Sequence, residues 1–447
     1  MPDILIKSAD LVVTMDGARR ELGGADILCC EGVISQISTA IQAPEAEVIY
    51  AEGCLVTPGL INTHHHMFQA LTRAVPAAQN ALLFGWLQTL YPIWGAMRPA
   101  HFRAATRLAL TELAMSGCTM SSDHQYLFPN GARLDDSIEA AGDIGIRFHA
   151  TRGSMSIGES MGGLPPDALV EDEAAILRDS ARVIDAFHDP NPGAMVQVGI
   201  APCSPFSVSR ELMRDAAVLA REKRVRLHTH LAENVEDIAY SEAQFGCRPG
   251  QYAEDLGWTG NDVWHAHCVK LDAHEIDLFA RTKTGVAHCP CSNCRLGSGI
   301  APVRAMQDAG VPVGLGVDGS ASNDAGNLIA EARQAMLLQR VQSGADAMSA
   351  REALEIATIG GATVLGRDDC GAIEVGKRAD LAIWDMSGIE AAGNWDRAAI
   401  LLAGPTRVRH LIVEGRQVVR DGQLHTADAR NIVDDAQKAT SELMSNA

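Results

Sequence analysis

The feature that most constrains the fold is the alternation of strand-like and helix-like segments through the middle of the chain. Short apolar runs occur near residues 58–66, 117–123, 146–151, 195–202, 225–231, 263–268, 285–289 and 313–318. Between them lie stretches whose apolar positions recur every three and four residues, such as 102–116, 208–223, 271–282 and 324–341. Strands that alternate with helices in this way over roughly 300 residues favour a closed (β/α)8 TIM barrel.

The alternative arrangement of the same elements is an open, doubly wound α/β sheet. That fold commonly carries a glycine-rich dinucleotide-binding turn after its first strand. Here the first run, near residues 58–66, leads into Thr63 and three histidines, with no such turn. The barrel is therefore the preferred interpretation.

Strand-like runs separated by turns also occupy both ends of the chain. They include residues 4–6, 27–30 and 48–50 at the start, and 379–385 and 410–419 at the end. We therefore predict one small β-sandwich domain assembled from both termini. The predicted division gives residues 1–57 and 371–447 to this domain, including a C-terminal helix, and residues 58–370 to the barrel.

Composition argues against several classes of protein. The formal net charge is −19 and no run of Lys or Arg stands out, so neither nucleic acid nor an anionic membrane is an expected partner. No window approaches about 18 uninterrupted apolar residues, and the first residues lack the features of a signal peptide. In a chain this long, 11 cysteines do not indicate a disulfide framework. These observations predict a cytoplasmic protein.

Histidines cluster where the predicted barrel strands end. Of the 15 histidines, eight fall at the ends of the first, fifth, sixth and seventh strands: His64, His65, His66, His228, His230, His265, His267 and His288. Catalytic groups of barrel enzymes lie at these carboxyl ends, and imidazole is the commonest metal ligand. Because side chains alternate along a strand, His64 and His66 share one face and His65 takes the other. We therefore predict a metal site.

A ligand set follows from these positions. His64, His66, one histidine of the fifth strand and Asp318 at the end of the eighth strand supply three neutral nitrogens and one carboxylate. This set suits one divalent ion, Zn²⁺ or Fe²⁺, with a position left open for water. The fourth strand, residues 196–203, has no lysine that could bridge a second ion. One metal ion is therefore preferred over two.

Two further residues are candidates for moving a proton. Glu233 lies three residues past His230 and could transfer a proton between a water molecule and a substrate. The alternative is that Glu233 is an exposed carboxylate in a loop. His267 could hold that water by a hydrogen bond. A rival metal site at Cys289, Cys291 and Cys294 lacks a second cysteine pair at zinc-ribbon spacing, so it is the weaker interpretation.

Together these segments resemble the amidohydrolase superfamily, in its branch of mononuclear cytosine-deaminase-like and triazine-hydrolase-like enzymes. The segments that carry the resemblance are 58–66, 228–233, 266–268, 287–293 and 316–320. The resemblance implies a metal-bearing barrel with a small β domain. The metal ligands that it implies are His64, His66, His230 and Asp318. It also implies that Glu233 transfers protons, that His267 orients water, and that Asp318 accepts a proton from the attacking water.

Other segments are similar to those of bacterial 8-oxoguanine deaminases, namely 64–76, 122–124, 152–156, 201–206 and 318–324. Isoxanthopterin deaminases and hydroxylated-triazine aminohydrolases share much of this pattern. The resemblance implies hydrolytic deamination of an amino-substituted C=N carbon in a flat heterocycle, most simply 8-oxoguanine to urate and ammonia. A barrel that has lost catalysis and serves as a scaffold is a remote alternative, because none of the implied ligands is missing.

Four residues are predicted to contact the substrate: Gln69, Trp94, Arg152 and Cys203. The Gln69 carboxamide can both donate to and accept from a ring amide edge, and Trp94 offers a face for stacking. The alternative for Trp94 and Cys203 is that they fill the core. The apolar segment 67–100 is expected to be a pocket lid, a subunit contact or both, and the protein is expected to form a homo-oligomer, a dimer or larger.

Overall fold

Eight parallel strands in the middle of the chain close into a barrel. The computed structural model describes residues 2–404 and 406–446. In chain order the barrel strands are Leu60–Asn62, Cys118–Gln125, Arg147–Ser154, Val196–Pro202, Leu227–Leu231, Val263–His267, Gly285–His288 and Val313–Leu315. The last strand pairs with the first, with Leu315 opposite Asn62. This closure confirms the predicted barrel and excludes the open sheet.

Helices follow the strands and cover the outside of the barrel. The longer ones are Leu83–Gly95, Pro99–Met115, Leu134–Ile144, Glu173–Phe187, Arg210–Lys223, Val235–Phe245, Ala273–Thr282, Leu328–Ser343 and Ala429–Asn446. Shorter ones are Pro249–Asp255, Pro290–Arg295, Val303–Ala309, Ser320–Asn323, Ala350–Ile356, Ile359–Leu365 and Arg397–Ile400. Their starts follow local capping chemistry: the Ser209 hydroxyl accepts the N–H of Leu212, and Asp272 forms a reciprocal box with Glu275.

Two further sheets are built from the two ends of the chain. One contains Ile4–Ala9, Ala25–Cys30, Val33–Ser38 and Glu47–Tyr50; the other contains Leu11–Val13, Glu21–Leu22, Cys54–Pro58, Leu381–Asp385, Val408–Val413, Arg416–Arg420 and Gln423–Leu424. Ile6 and Ile27 of the first sheet share one buried apolar cluster with Val56 and Ile383 of the second. The predicted pairing of both termini in one β structure is therefore confirmed.

The C-terminal helix, Ala429–Asn446, packs against the barrel helix Pro99–Met115. Ala436 and Leu443 are buried in the main core, and Arg107 pairs with Asp435 at 3.1 Å. Among the described residues, no helix combines the length and the apolar character that a membrane span requires.

Candidate metal centre and substrate pocket

The three consecutive histidines lie just beyond the end of the first barrel strand. The strand ends at Asn62, earlier than predicted, and a 3-10 helix, Met67–Leu71, follows the histidines. His64 and His66 nevertheless contact the same cluster at the end of the barrel. His65 is buried elsewhere, and neither of its ring nitrogens has a hydrogen-bond partner in the described structure.

The structure brings the four predicted ligands together. The Nε2 atoms of His66 and His230 are 3.0 Å apart. The Nε2 atoms of His64 and His66 each lie 3.3 Å from Oδ1 of Asp318. Residues separated by more than 250 positions in sequence thus present donor atoms to one small volume.

The hydrogen bonds of His66 and His230 show which of their ring nitrogens carries the proton. Nδ1 of His66 donates to the carbonyl of His124 at 2.7 Å, and Nδ1 of His230 donates to the carbonyl of Cys203 at 2.6 Å. Burial lowers the pKa of both rings, to about 3 for His230, so each is neutral and its Nε2 carries a lone pair. Two lone pairs that face each other at 3.0 Å repel unless a cation lies between them.

The donor set fits a divalent metal ion. Nε2 of His64 is buried and has no hydrogen-bond partner among the described residues. Two overlapping groups of possible ligands occur, each with donor atoms within 4.8 Å: one of His64, His66, His124 and His230, the other of His64, His267 and Asp318. Neutral nitrogens combined with a carboxylate suit Zn²⁺ or Fe²⁺. The cysteines at 289, 291 and 294 belong to neither group.

His124 was not among the predicted ligands. Its ring stacks on His230 with centroids 4.8 Å apart, its Nε2 is 2.8 Å from the Ala201 carbonyl, and its Nδ1 has no partner among the described residues. Its sequence signal is the same as that of the other histidines, since it lies near the end of the second barrel strand, Cys118–Gln125.

Asp318 is held as an ionised carboxylate. Its Oδ2 accepts hydrogen bonds from the hydroxyls of Ser292 at 2.5 Å and Ser322 at 3.0 Å, which leaves Oδ1 facing the histidines. Both hydroxyls donate to the charged form of Asp318, which favours its ionisation. Its φ of 60° is unusual for a residue other than glycine and typical of functional sites.

Glu233 and His267 form a pair beside Asp318. Nε2 of His267 lies 3.6 Å from Oε2 of Glu233 and 4.0 Å from Oδ2 of Asp318, and its Nδ1 donates to Oδ1 of Asn293 at 2.9 Å. Glu233 is buried rather than an exposed loop carboxylate. Burial raises the pKa of Glu233 to about 7. Burial lowers the pKa of His267, but the charges of Glu233 and Asp318 outweigh it and raise this pKa above its ordinary value.

A cavity of about 40 Å³ adjoins these groups. Its wall consists of His66, Gln69, Leu83, Trp86, Leu87, Tyr91, Tyr126, Cys203, Ser204, Phe206, His230, Glu233, His267, Leu296 and Asp318. Gln69 and Cys203, two of the four residues predicted to contact the substrate, are among these lining residues. The helix Leu83–Gly95 contributes four of these residues, and the lid interpretation of segment 67–100 stays a prediction. Tyr126 and Phe206 carry no sequence signal beyond their apolar character.

Trp94 and Arg152, the other two residues predicted to contact the substrate, are not among the residues that line this cavity. Trp94 is fully buried, donates its indole N–H to Thr72 Oγ1 at 3.0 Å, and packs on Phe68. Arg152 lies on the third strand, Arg147–Ser154, and strand alternation directs it outward, where it pairs with Asp179 at 3.0 Å. Trp94 lies on the same face of this helix as Trp86 and Tyr91 and packs against both, with ring centroids 5.5 and 5.9 Å apart, so it supports two residues of the wall.

Substitution of Arg152 tests whether this side chain contacts the substrate. Arg152→Gln removes ion pairs with Glu171 at 2.7 Å and Asp179 at 3.0 Å. Both carboxylates are about a quarter exposed, so we expect a loss of about 1–3 kcal/mol in the free energy of unfolding, below that of a fully buried pair. Denaturant unfolding measures the loss. The matched variant Gln69→Ala should instead raise KM, and a raised KM for Arg152→Gln would contradict its placement.

A barrel with histidines, an aspartate and a buried glutamate at its strand ends defines the class of metal-dependent barrel hydrolases. Residues 55–418 match the model of the Amidohydrolase family, and the chain belongs to that family.

The similar proteins are deaminases and a related hydrolase. An 8-oxoguanine deaminase of Pseudomonas aeruginosa is 44% identical over 420 residues, 93% of this chain and 94% of that protein. An isoxanthopterin deaminase from an unknown prokaryote is 37% identical, covering 99% and 98% of the two chains. The solved structure of an atrazine chlorohydrolase from Arthrobacter aurescens TC1, complexed with zinc, superposes with a TM-score of 0.93 at 35% identity and covers 98% of this chain and all of the other.

Proposed function

We propose that this protein is a zinc-dependent aminohydrolase that converts 8-oxoguanine and water to urate and ammonia. The observation that carries the reaction type is the group formed by Glu233, His267 and Asp318, buried beside the histidine cluster at the wall of the cavity. The choice of substrate is supported by the 44% identity to an 8-oxoguanine deaminase. His64, His66, His230 and Asp318 would hold the metal, and Fe²⁺ is the alternative ion.

A divalent ion bound by these residues would supply Lewis acidity and lower the pKa of water. Asp318 accepts a proton from the water that attacks the amino-bearing carbon, and His267 orients that water. Glu233 delivers a proton to the adjacent ring nitrogen. A further proton transfer to the amino group lets the C–N bond break, so that ammonia leaves and a carbonyl remains. A pKa of about 7 suits Glu233 to both accepting and releasing a proton near neutral pH.

Gln69 is well placed to recognise the amide edge of an oxidised purine. Its Oε1 is buried without a hydrogen-bond partner among the described residues, and its Nε2 lies 3.4 Å from the Tyr126 hydroxyl. A side chain on Gly319, next to Asp318, would collide with the Gln69 carboxamide. This glycine therefore leaves room for Gln69 to reach toward the cavity.

The cavity must widen to accept a bicyclic ring. A volume of about 40 Å³ has room for only about three water molecules. The apolar side chains Leu83, Trp86 and Tyr91 on one helix form much of the wall. Trp86 donates its indole N–H to the carbonyl of Ala321 at 3.3 Å, in the segment that follows Asp318. Outward movement of this helix would open the cavity.

Isoxanthopterin and hydroxylated triazines are the alternative substrates, favoured by the identity of 37% to an isoxanthopterin deaminase and the likeness to an atrazine chlorohydrolase. The test is ammonia release by the zinc-loaded protein from 8-oxoguanine, guanine, isoxanthopterin and a hydroxylated triazine. We expect the highest kcat/KM for 8-oxoguanine, with urate appearing in equal amount to ammonia. If kcat/KM is higher for isoxanthopterin or the triazine, that compound becomes the proposed substrate instead of 8-oxoguanine. If none of the four compounds releases ammonia, the deaminase proposal is refuted.

A further inference from the structure

A chain of hydrogen bonds behind His64 takes no part in the proposed reaction. Nδ1 of His64 lies 2.8 Å from Nε2 of His228, and Nδ1 of His228 lies 2.9 Å from the carbonyl oxygen of Trp264. All three residues are fully buried. The carbonyl oxygen can only accept, so the direction of each hydrogen bond in the chain is determined.

The proton positions follow one after another from that carbonyl. Nδ1 of His228 must carry a proton to donate to the Trp264 oxygen. The His228 ring is fully buried, and its nitrogens contact only His64 and the Trp264 carbonyl, with no carboxylate to balance a charge, so the ring is neutral and its Nε2 accepts. His64 must therefore donate from Nδ1, which leaves its Nε2 free of a proton. That atom lies 3.3 Å from Oδ1 of Asp318 and makes no hydrogen bond among the described residues.

Trp264 also restrains the backbone next to His64. Its indole N–H donates to the carbonyl of Thr63 at 3.0 Å. Its ring stacks on His228, with centroids 4.4 Å apart and planes inclined by 16°. One residue of the sixth strand thus holds both the imidazole of His64, through His228, and the peptide that precedes it.

We propose that His228 is a positioning residue that fixes the tautomer and ring orientation of His64, with Trp264 as its anchor. His66 and His230 each donate directly to a backbone carbonyl, whereas His64 reaches one only through the ring of His228. Histidine suits this place because its two nitrogens can accept on one side and donate on the other. The inference rests on the metal site of the proposed function but not on its substrate.

The test is the zinc affinity of two variants, measured by competition with a chromophoric chelator. His228→Leu removes the acceptor for His64, and we expect zinc to bind about 10- to 100-fold more weakly. In His228→Gln the carboxamide can accept from His64 and donate to Trp264, so most of the affinity should return. Trp264→Phe keeps the carbonyl and the stacking but loses the indole N–H, so a smaller loss is expected.

His265→Leu is the matched control. His265 is fully buried on the same strand as Trp264, and its Nε2 pairs with the Trp258 carbonyl at 2.9 Å, outside both candidate ligand groups. Its replacement should lower the thermal midpoint of the zinc-free protein and leave zinc affinity unchanged.

Two outcomes would overturn the positioning role. One is wild-type zinc affinity in His228→Leu, and the other is an equal loss in His265→Leu. If His228→Leu does not fold, the zinc affinities of His228→Gln and Trp264→Phe decide the question. An equal loss of zinc affinity in both variants would count against the proposal. If the variants show the expected zinc affinities but the protein releases no ammonia in the substrate assay, the proposed function is refuted and the positioning role of His228 stands.

Discussion

Glu233→Gln should leave the metal content unchanged and reduce kcat by about 10²–10⁴-fold, the usual contribution of a positioned proton-transfer group. Glutamine keeps the size of the side chain but cannot take up and release a proton. Oε2 of Glu233 faces His267 at 3.6 Å, and Glu233 is absent from both candidate ligand groups. Metal content by elemental analysis and kcat on 8-oxoguanine measure the two effects separately.

Asp237→Asn provides a matched control for that variant. Asp237 is also buried, and burial raises its pKa to about 6, but its Oδ2 accepts the backbone N–H of Glu233 at 2.7 Å and it is not part of the cavity wall. Its replacement should reduce kcat far less, because asparagine retains an oxygen acceptor. Loss of metal in Glu233→Gln would make Glu233 a ligand, and near-normal kcat would remove it from the proton path.

The barrel and its principal polar residues could be predicted because their signals are local. Apolar runs of strand length identify the eight strands, and the two-residue spacing of His64 and His66 places both on one side. The carboxyl ends of all eight parallel strands lie at the same end of the barrel. His230 and Asp318 could therefore be assigned to that end without knowledge of the loops. Even the early end of the first strand, at Asn62, did not separate His64 from His66.

The pocket wall could not be predicted in the same way, because it depends on how distant segments pack against one another. Trp94 and Trp86 lie on one helix, and only the packing of that helix assigns Trp94 to the core and Trp86 to the cavity. Arg152 follows an inward-facing Thr151 by one position and therefore points outward to Asp179. The link from His228 to Trp264 joins two strands through a side chain and a carbonyl, a contact that no sequence spacing specifies.

Asp318→Asn should reduce both the affinity for the metal ion and kcat. Asparagine can retain a contact with Ser292 and Ser322, but it supplies no negative charge to His64 and His66 and cannot accept a proton. Loss of a partner that only supports a ligand costs about 10–100-fold in metal affinity, so the loss of a direct ligand should exceed about 100-fold. Chelator competition measures the affinity, and kcat is then followed as zinc is raised to saturation.

The zinc titration separates the two roles proposed for Asp318. If Asp318 is a ligand alone, saturating zinc restores kcat; if it also accepts a proton from the attacking water, kcat stays low even when the site is full, which is the result we expect. Glu331→Gln is the control, because Glu331 is a buried carboxylate that accepts from Asn323 at 2.6 Å in the same segment without facing the histidines. Normal zinc affinity in Asp318→Asn would exclude Asp318 from the ligand set and favour His124 in its place. His124 belongs to the candidate group with His64, His66 and His230, and its buried Nδ1 has no hydrogen-bond partner among the described residues.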